Sequence, residues 1–457
     1  MADRMSDAAT LLAQIEDACR RLKVAQSTFG RLAVNDGKFV TRLQQGGRVT
    51  LQTVERVHRF IADQGGPSAF ALRSALGGAP IAGSSLARTY DRRQKYLTFV
   101  GTTSEKRQIA DRALQQLSHA QPRPPAIRLF DANAGEGSSL ARLLRGAHRR
   151  YPWLPFYVVA REVDAANVGL LLEKMVDRFQ EHPQTMLVVT NLAHADAPWL
   201  KPASATGASA MAWHEAPLDG ATAGEFEEQI ARLRPFFDRH WQVRDSGGHA
   251  RAHAPAVLVV YRRDHKFTLD QVLPRPGLAH ADYDFILLSH PYRARASLGF
   301  KAGTIVAPLA RALRPSGRLL GVHGYGDDPG LAIIQSIWPD EDPFVDRRGA
   351  LLDAVRTSLG PEARHYDFQP LSNEESLFRF HLHALPGAPG AAADIGMSTR
   401  LAAWHAASYV AQIDDRRLAQ AMADDQYLGA TADILSMHGG LWFNDESYVF
   451  SRRSELG

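Results

Sequence analysis

From Tyr90 onward, short apolar runs alternate with segments of helical period, and this alternation constrains the chain more than any other feature. Strand signals at Ala126–Phe130, Phe156–Val159 and Met186–Val189 are separated by helical segments at Ser138–His148 and Ala165–Phe179. A run of four to six apolar residues closed by a turn suits a strand buried on both faces, and such strands need helical crossovers to lie parallel. The alternation therefore predicts an α/β domain with a mostly parallel sheet. Further strands are expected at Ala256–Tyr261, Phe285–Leu288, Arg318–Val322, Phe378–His383 and Tyr448–Ser451.

At 457 residues the chain exceeds one ordinary core, so a second domain is expected. Residues 11–61 carry apolar positions at helical spacing (Leu11, Leu12, Ile15, Cys19, Leu22), broken by the Asn35-Asp36-Gly37 turn signal and by Gly46-Gly47. This predicts a small all-α domain over 1–65, followed by a Gly/Pro/Ala/Ser-rich linker at 66–89 and the α/β domain over 90–457. The Gly/Ala/Ser-rich stretch 201–255 reads as an insertion capping the sheet. Cys19 is the only cysteine, which excludes an internal disulfide and a multi-cysteine zinc site, and no metal is expected. No run approaches the length of a membrane span and Met1–Ala9 lacks a signal-peptide plan, so a cytoplasmic protein without a membrane partner is expected. A net charge of +4 is mild, so any nucleic-acid contact must rest on a local basic surface.

The segment Ile127-Arg-Leu-Phe-Asp131-Ala-Asn133-Ala-Gly135-Glu-Gly137-Ser-Ser-Leu140 is a strand passing through a small-residue turn into a helix. Small residues let backbone approach a ligand, and the helix start offers free N–H groups. A pyrophosphate-binding turn has Gly-x-Gly-x-x-Gly spacing, which is missing, and the acid leading this turn suits a cationic ligand better.

Asp131 to Gly137 resembles the Asp-x-Gly-x-Gly-x-Gly turn of class I S-adenosylmethionine-dependent methyltransferases, with Asn133 at the first glycine, where its tolerance of left-handed backbone makes the departure mild. The resemblance extends in order along the chain. It implies a Rossmann-like methyltransferase sheet, with helices on both faces and an inserted cap, and S-adenosylmethionine as cofactor. Glu162, ending the strand Tyr157–Ala160, would bind the ribose hydroxyls, with Asp164 as the alternative. Asp264, ending Leu258–Tyr261, is placed at the adenine amino group, although pairing with Arg262 or Arg263 is the other reading. Ser289-His290-Pro291-Tyr292 follows the strand expected to face the substrate; Ser289 is taken as a cofactor contact, and His290 and Tyr292 as catalytic, His290 as a general base for a hydroxyl acceptor or as a structural histidine. The same choice applies to His194. Tyr96, Phe99 and Thr103 lie where a lid helix is expected. Leu313-Arg-Pro-Ser-Gly317 is similar to the turn before the fifth strand, and Gly440–Phe450 to a closing antiparallel strand. Trp199, Trp213, Trp404 and Trp442 are acceptor-wall candidates, with core packing as the other reading.

Ser27 to Gly46 resembles the helix pair of phage-repressor-like helix-turn-helix proteins. That implies a DNA-binding domain in which Lys38, Thr41, Arg42, Gln44 and Gln45 lie on or beside the recognition helix, with Arg48 and Arg31 reaching phosphates, and a homodimer. The expected function is methylation of a small or medium-sized acceptor by a chain fused to a DNA-binding domain. A regulator that senses S-adenosylmethionine or a metabolite without catalysis, and a DNA-base methyltransferase, are the alternatives.

Overall fold

The computed structural model describes residues 11–12, 14–19, 26–34, 36, 38–45, 53, 57, 85–246, 249–252, 254–383, 395–423 and 426–454. The chain divides into two compact units, Met1–Thr89 and Tyr90–Gly457. In the first, the helices Gln26–Val34 and Phe39–Gln44 pack Phe29, Phe39, Val40 and Leu43 with Leu11, Ile15, Ala18, Cys19 and Val57. The connection is tight: Asp36 N donates to Gly30 O at 3.1 Å, and a Cβ on Gly30 would sit 2.4 Å from Asp36 O. Most of residues 46–84, Arg48 among them, lie outside the described residues, and the last five residues of the expected linker, 85–89, are helical.

The second unit is built on a mixed sheet. Its strands are β1 (Ile127–Asp131), β2 (Phe156–Arg161), β3 (Thr185–Thr190), β4 (Ala212–Leu218), β7 (Ala256–Arg262), β8 (Tyr283–Ser289), β9 (Leu313–Gly324), β10 (Tyr366–Phe368), β11 (Leu377–His381) and β12 (Trp442–Arg452); β5 (Val243–Ser246) and β6 (His249–Ala252) form a separate hairpin. The order is β10-β12-β9-β8-β1-β2-β3-β7-β4, with β11 beside β10 on the outer side of β12. The five strands β3, β2, β1, β8 and β9 are parallel. Chain order reverses between β1 and β8, and in such sheets ligands bind outside the carboxyl ends of the strands at this switch point. β12 returns antiparallel to β9, which brings its first residues to that same edge, Asp445 opposite Gly324.

Alternation along the strands feeds two cores. Ile127, Leu129, Val158 and Leu187 face the helices Glu105–Leu117, Ser138–Arg150 and Ala165–Glu181, while Phe130, Val159, Val188 and Ile286 face the helical stretches around Ile305 and Leu351. Trp404 centres a third cluster with Phe99, Phe380 and Phe443, formed by the helices Pro329–Ile337, Met397–Val410 and Gln426–His438. No helix among the described residues is long and apolar enough to cross a membrane.

Two expectations change. β7 runs antiparallel to β3, with Tyr261 opposite Met186, so its end lies away from the switch-point side of the sheet. The stretch 201–255 supplies β4 beside β7, and its helices Ala223–Ala231 and Arg234–His240 pack on the helix Ala165–Glu181, so it widens the sheet.

Candidate functional site

The turn after β1 is shaped by two glycines with positive φ, Gly135 at 56° and Gly137 at 86°. A Cβ on Gly135 would lie 2.4 Å from the Tyr96 hydroxyl, so its absence lets Tyr96, from the helix Ser85–Thr102, lie on the turn and accept from Glu136 N at 3.1 Å. Of the three lid candidates only Tyr96 lies on the turn, whereas Phe99 is buried in the third cluster and Thr103 is also buried. Asn133 is not among the residues with positive φ; its amide instead donates to Ser289 O at 3.1 Å and His290 O at 3.2 Å, tying the turn to the end of β8. The helix N-terminus at Ser138 is already filled: the buried Glu136 carboxylate accepts from Ser138 N at 3.2 Å and pairs with Lys174 at 2.6 Å. A ligand phosphate would meet a carboxylate there, which disfavours a pyrophosphate at this turn.

At the ends of β1 and β2 lie two buried acids, Asp131 and Glu162, exposed by 2% and 5%. Burial pushes Asp131 up to about 7, against its bond from Asn133 N and the charge of Lys106, and the negative charge of Glu162 adds to the rise. Burial also raises Glu162, whose Oε1 accepts from Val163 N at 2.7 Å and Asp164 N at 2.8 Å. Asp164 itself caps the helix Ala165–Glu181 through Ala166 N and Asn167 N and meets Arg93 at 3.1 Å, so its carboxylate is committed to structure. Trp241 Nε1 donates to Glu162 O at 2.8 Å and closes the outer side. His194, in the loop after β3, is half-buried and is held well below the usual imidazole range by desolvation and then by the charge of Arg161.

Ser289, the last residue of β8, is buried, and His290 after it adopts φ of 47°, a left-handed conformation uncommon for a residue with a Cβ. That backbone aims Nε2 between two carboxylates, 3.2 Å from Glu105 Oε1 and 3.2 Å from Asp445 Oδ2. Burial lowers and the two acids raise its pKa, and the acids prevail, bringing it up to about 10. The nitrogen that a general base would use, Nε2, thus already faces two carboxylates. Tyr292 is buried, its hydroxyl 3.0 Å from His323 Nδ1, and His323 Nε2 meets Glu446 Oε2 at 3.1 Å. Arg348 completes this line on Glu446 Oε1 at 2.7 Å, giving Tyr292 a packed, fully partnered setting.

The structure thus brings Asp131, Asn133, Gly135, Gly137, Glu162, Ser289 and His290 to one edge of the sheet. It does not bring Asp264 there, because β7 ends beside the start of β3; Arg262 Nε holds Asp264 at 3.0 Å, the pairing the sequence had left open. Trp404 is core, and Trp199 is 41% exposed. Glu105, Lys106, Asp445 and Glu446 escaped the sequence reading; the one available signal was Asn444-Asp445-Glu446, three polar residues interrupting an aromatic strand. In the first unit Lys38, Thr41, Arg42 and Gln44 are exposed, with Arg42 paired to Asp36 and Gln44 Nε2 bonded to Gln26 Oε1 at 3.1 Å.

No family model matches the chain, and no curated protein matches it in sequence. Among solved structures, a candidate sarcosine dimethylglycine methyltransferase from Galdieria sulphuraria aligns over 77% of this chain and 86% of its own at 8% identity, with a TM-score of 0.30. A geranyl diphosphate methyltransferase bound to S-adenosylmethionine aligns over 75% and 85% at 13% identity, TM-score 0.27. A Haemonchus contortus phosphoethanolamine methyltransferase bound to S-adenosylhomocysteine aligns over 76% and 53% at 8% identity, TM-score 0.25. At such scores the architecture of this chain stands on its own strand order, and the acids at the switch point on their own chemistry.

Proposed function

We propose that the chain is an S-adenosylmethionine-dependent methyltransferase acting on a small or medium-sized molecule. The observation that carries this reading is the pair of desolvated acids, Asp131 and Glu162, at the carboxyl ends of β1 and β2 beside the switch point. A buried carboxylate is stabilised by a cation or by strong hydrogen-bond donors, and a ligand carrying both a positive charge and a diol satisfies both acids at once. S-adenosylmethionine supplies an electrophilic methyl group on a sulfonium centre.

On this reading Glu162 takes the ribose hydroxyls with its second oxygen, the first being held by the backbone of Val163 and Asp164. Asp131 gives up its proton and faces the cationic end, while Gly135 and Gly137 leave room for backbone contact. Tyr96 excludes water from above, and the Asn133 amide keeps Ser289 and His290 in register with the turn. His290 follows β8 on the side of the turn where an acceptor would lie.

Release of S-adenosylhomocysteine from the purified chain, measured across a panel of hydroxyl, amine and carboxylate acceptors, tests the activity. Turnover with one acceptor class, lost in Asp131→Ala, is expected; ligand binding without turnover on any acceptor would favour a sensor instead.

We read the first unit as a DNA-binding module acting in a homodimer, supported by exposed Lys38, Thr41 and Arg42 on or beside the helix Phe39–Gln44. Lys38→Ala with Arg42→Ala is expected to abolish a gel shift on the chain's own upstream DNA; unchanged affinity would refute it.

A further inference from the structure

We propose that Glu105, His290 and Asp445 are the ligands of a divalent first-row metal ion at the end of β8. The proposal does not depend on which methyl donor, if any, the neighbouring turn binds. The three residues come from distant stretches, the N-terminus of the helix Glu105–Leu117, the end of β8 and the start of β12. Each offers one ligand atom, and the three atoms lie within 4.8 Å of one another.

The spacing of the three groups admits an ion. Two metal–ligand bonds of about 2.1 Å at right angles place their donors about 3.0 Å apart, and at the tetrahedral angle about 3.4 Å. The two distances from His290 Nε2 are both 3.2 Å, between these limits. Glu105 and Asp445 are 4% and 1% exposed, so neither carboxylate is well served by water. Lys106 lies 2.9 Å from Glu105 Oε2 and balances the oxygen facing away from the cluster, leaving Oε1 to the centre. The strained φ of His290 serves no turn glycine could not make, and it directs one imidazole nitrogen at both acids. The His290 side chain is 30% exposed, which gives the ion an entry path.

One imidazole and two carboxylates suit Mn2+, Fe2+, Co2+ or Zn2+ better than Mg2+, which prefers oxygen and water. Three protein ligands leave coordination positions open, and an acceptor oxygen bound there becomes more acidic. The class of acceptor this implies is a hydroxyl or enol oxygen.

The test is Mn2+ binding to the full chain without any cofactor, read from the loss of the free-ion electron paramagnetic resonance signal. One ion per chain is expected, with affinity at least about tenfold weaker in Glu105→Gln and in Asp445→Asn. Asp219→Asn, which breaks a surface pair with Arg263, is the control and leaves binding unchanged. Tryptophan fluorescence melts establish that each variant is folded, and His290→Gln replaces either acid variant that is not. No binding by the wild type at on the order of 1 mM Mn2+ overturns the proposal, as does binding that persists in the variants.

Discussion

Replacing Asp131 by Asn should stabilise the ligand-free protein, and the gain should grow with pH. The folded chain holds this carboxyl near 7, while in the unfolded chain it titrates near 3.8. An acid whose pKa is raised by folding is equally protonated in both states below the unfolded value, so nothing is lost there. As pH rises toward the folded value the unfolded chain ionises first, and stability falls by about 1.4 kcal/mol per pH unit, about 4 kcal/mol over the interval. Asn keeps an oxygen for the Asn133 N bond and carries no charge. The advantage of Asp131→Asn should therefore be about 2–3 kcal/mol larger at pH 8.5 than at pH 5. Urea unfolding followed by tryptophan fluorescence reads this directly, because all seven tryptophans, Trp153 to Trp442, belong to the second unit. The same substitution should abolish cofactor binding. A stability difference that does not change between the two pH values, or a variant weaker than wild type at pH 8.5, would refute the reasoning.

Three further outcomes follow from the geometry. Gly137→Ala places a Cβ at φ of 86°, 2.6 Å from Leu171 Cδ1 and 2.9 Å from Leu171 Cα, and should lose about 2 kcal/mol or more in thermal unfolding; a loss under about 0.5 kcal/mol would contradict it. His148 is buried against the His182 ring and held down to about 3, chiefly by burial, so its contribution is complete above the unfolded value near 6.5 and disappears as pH falls toward 3, about 4–5 kcal/mol in all. His148→Phe should flatten that acid limb, and an unchanged limb would assign it elsewhere. Asn133→Gly restores the glycine of the resembled turn but removes two side-chain bonds to the end of β8, and should cost about 1–2 kcal/mol by chemical denaturation rather than leave stability unchanged.

The parallel core was legible because its strands are uninterrupted apolar runs flanked by helical period, and β1, β2 and β3 differ from the expected spans by a residue or two at their ends. The direction of Ala256–Arg262 was not, since an apolar run reads the same either way and only its pairing with β3 fixes its sense. β4 was missed because Ala212-Trp-His-Glu-Ala-Pro-Leu218 is a half-polar edge strand embedded in a loop-like stretch. The turn residues of the site were visible as a local pattern from Asp131 to Gly137. The acids facing His290 were not, because nothing local to Glu105 or Asp445 records that a helix start and a returning strand converge on the end of β8. Asn133 shows how a pattern can be matched for a different reason: side-chain bonding, rather than left-handed backbone, accounts for it.

The central claim is that Asp131 and Glu162 form the cofactor subsite, and calorimetric titration with S-adenosylmethionine and S-adenosylhomocysteine tests it most directly. One site per chain is predicted in the wild type, lost in Asp131→Ala and in Glu162→Gln while both variants keep the wild-type near-ultraviolet circular dichroism. Absence of binding to either ligand by the wild type, or undiminished binding in both folded variants, would contradict it.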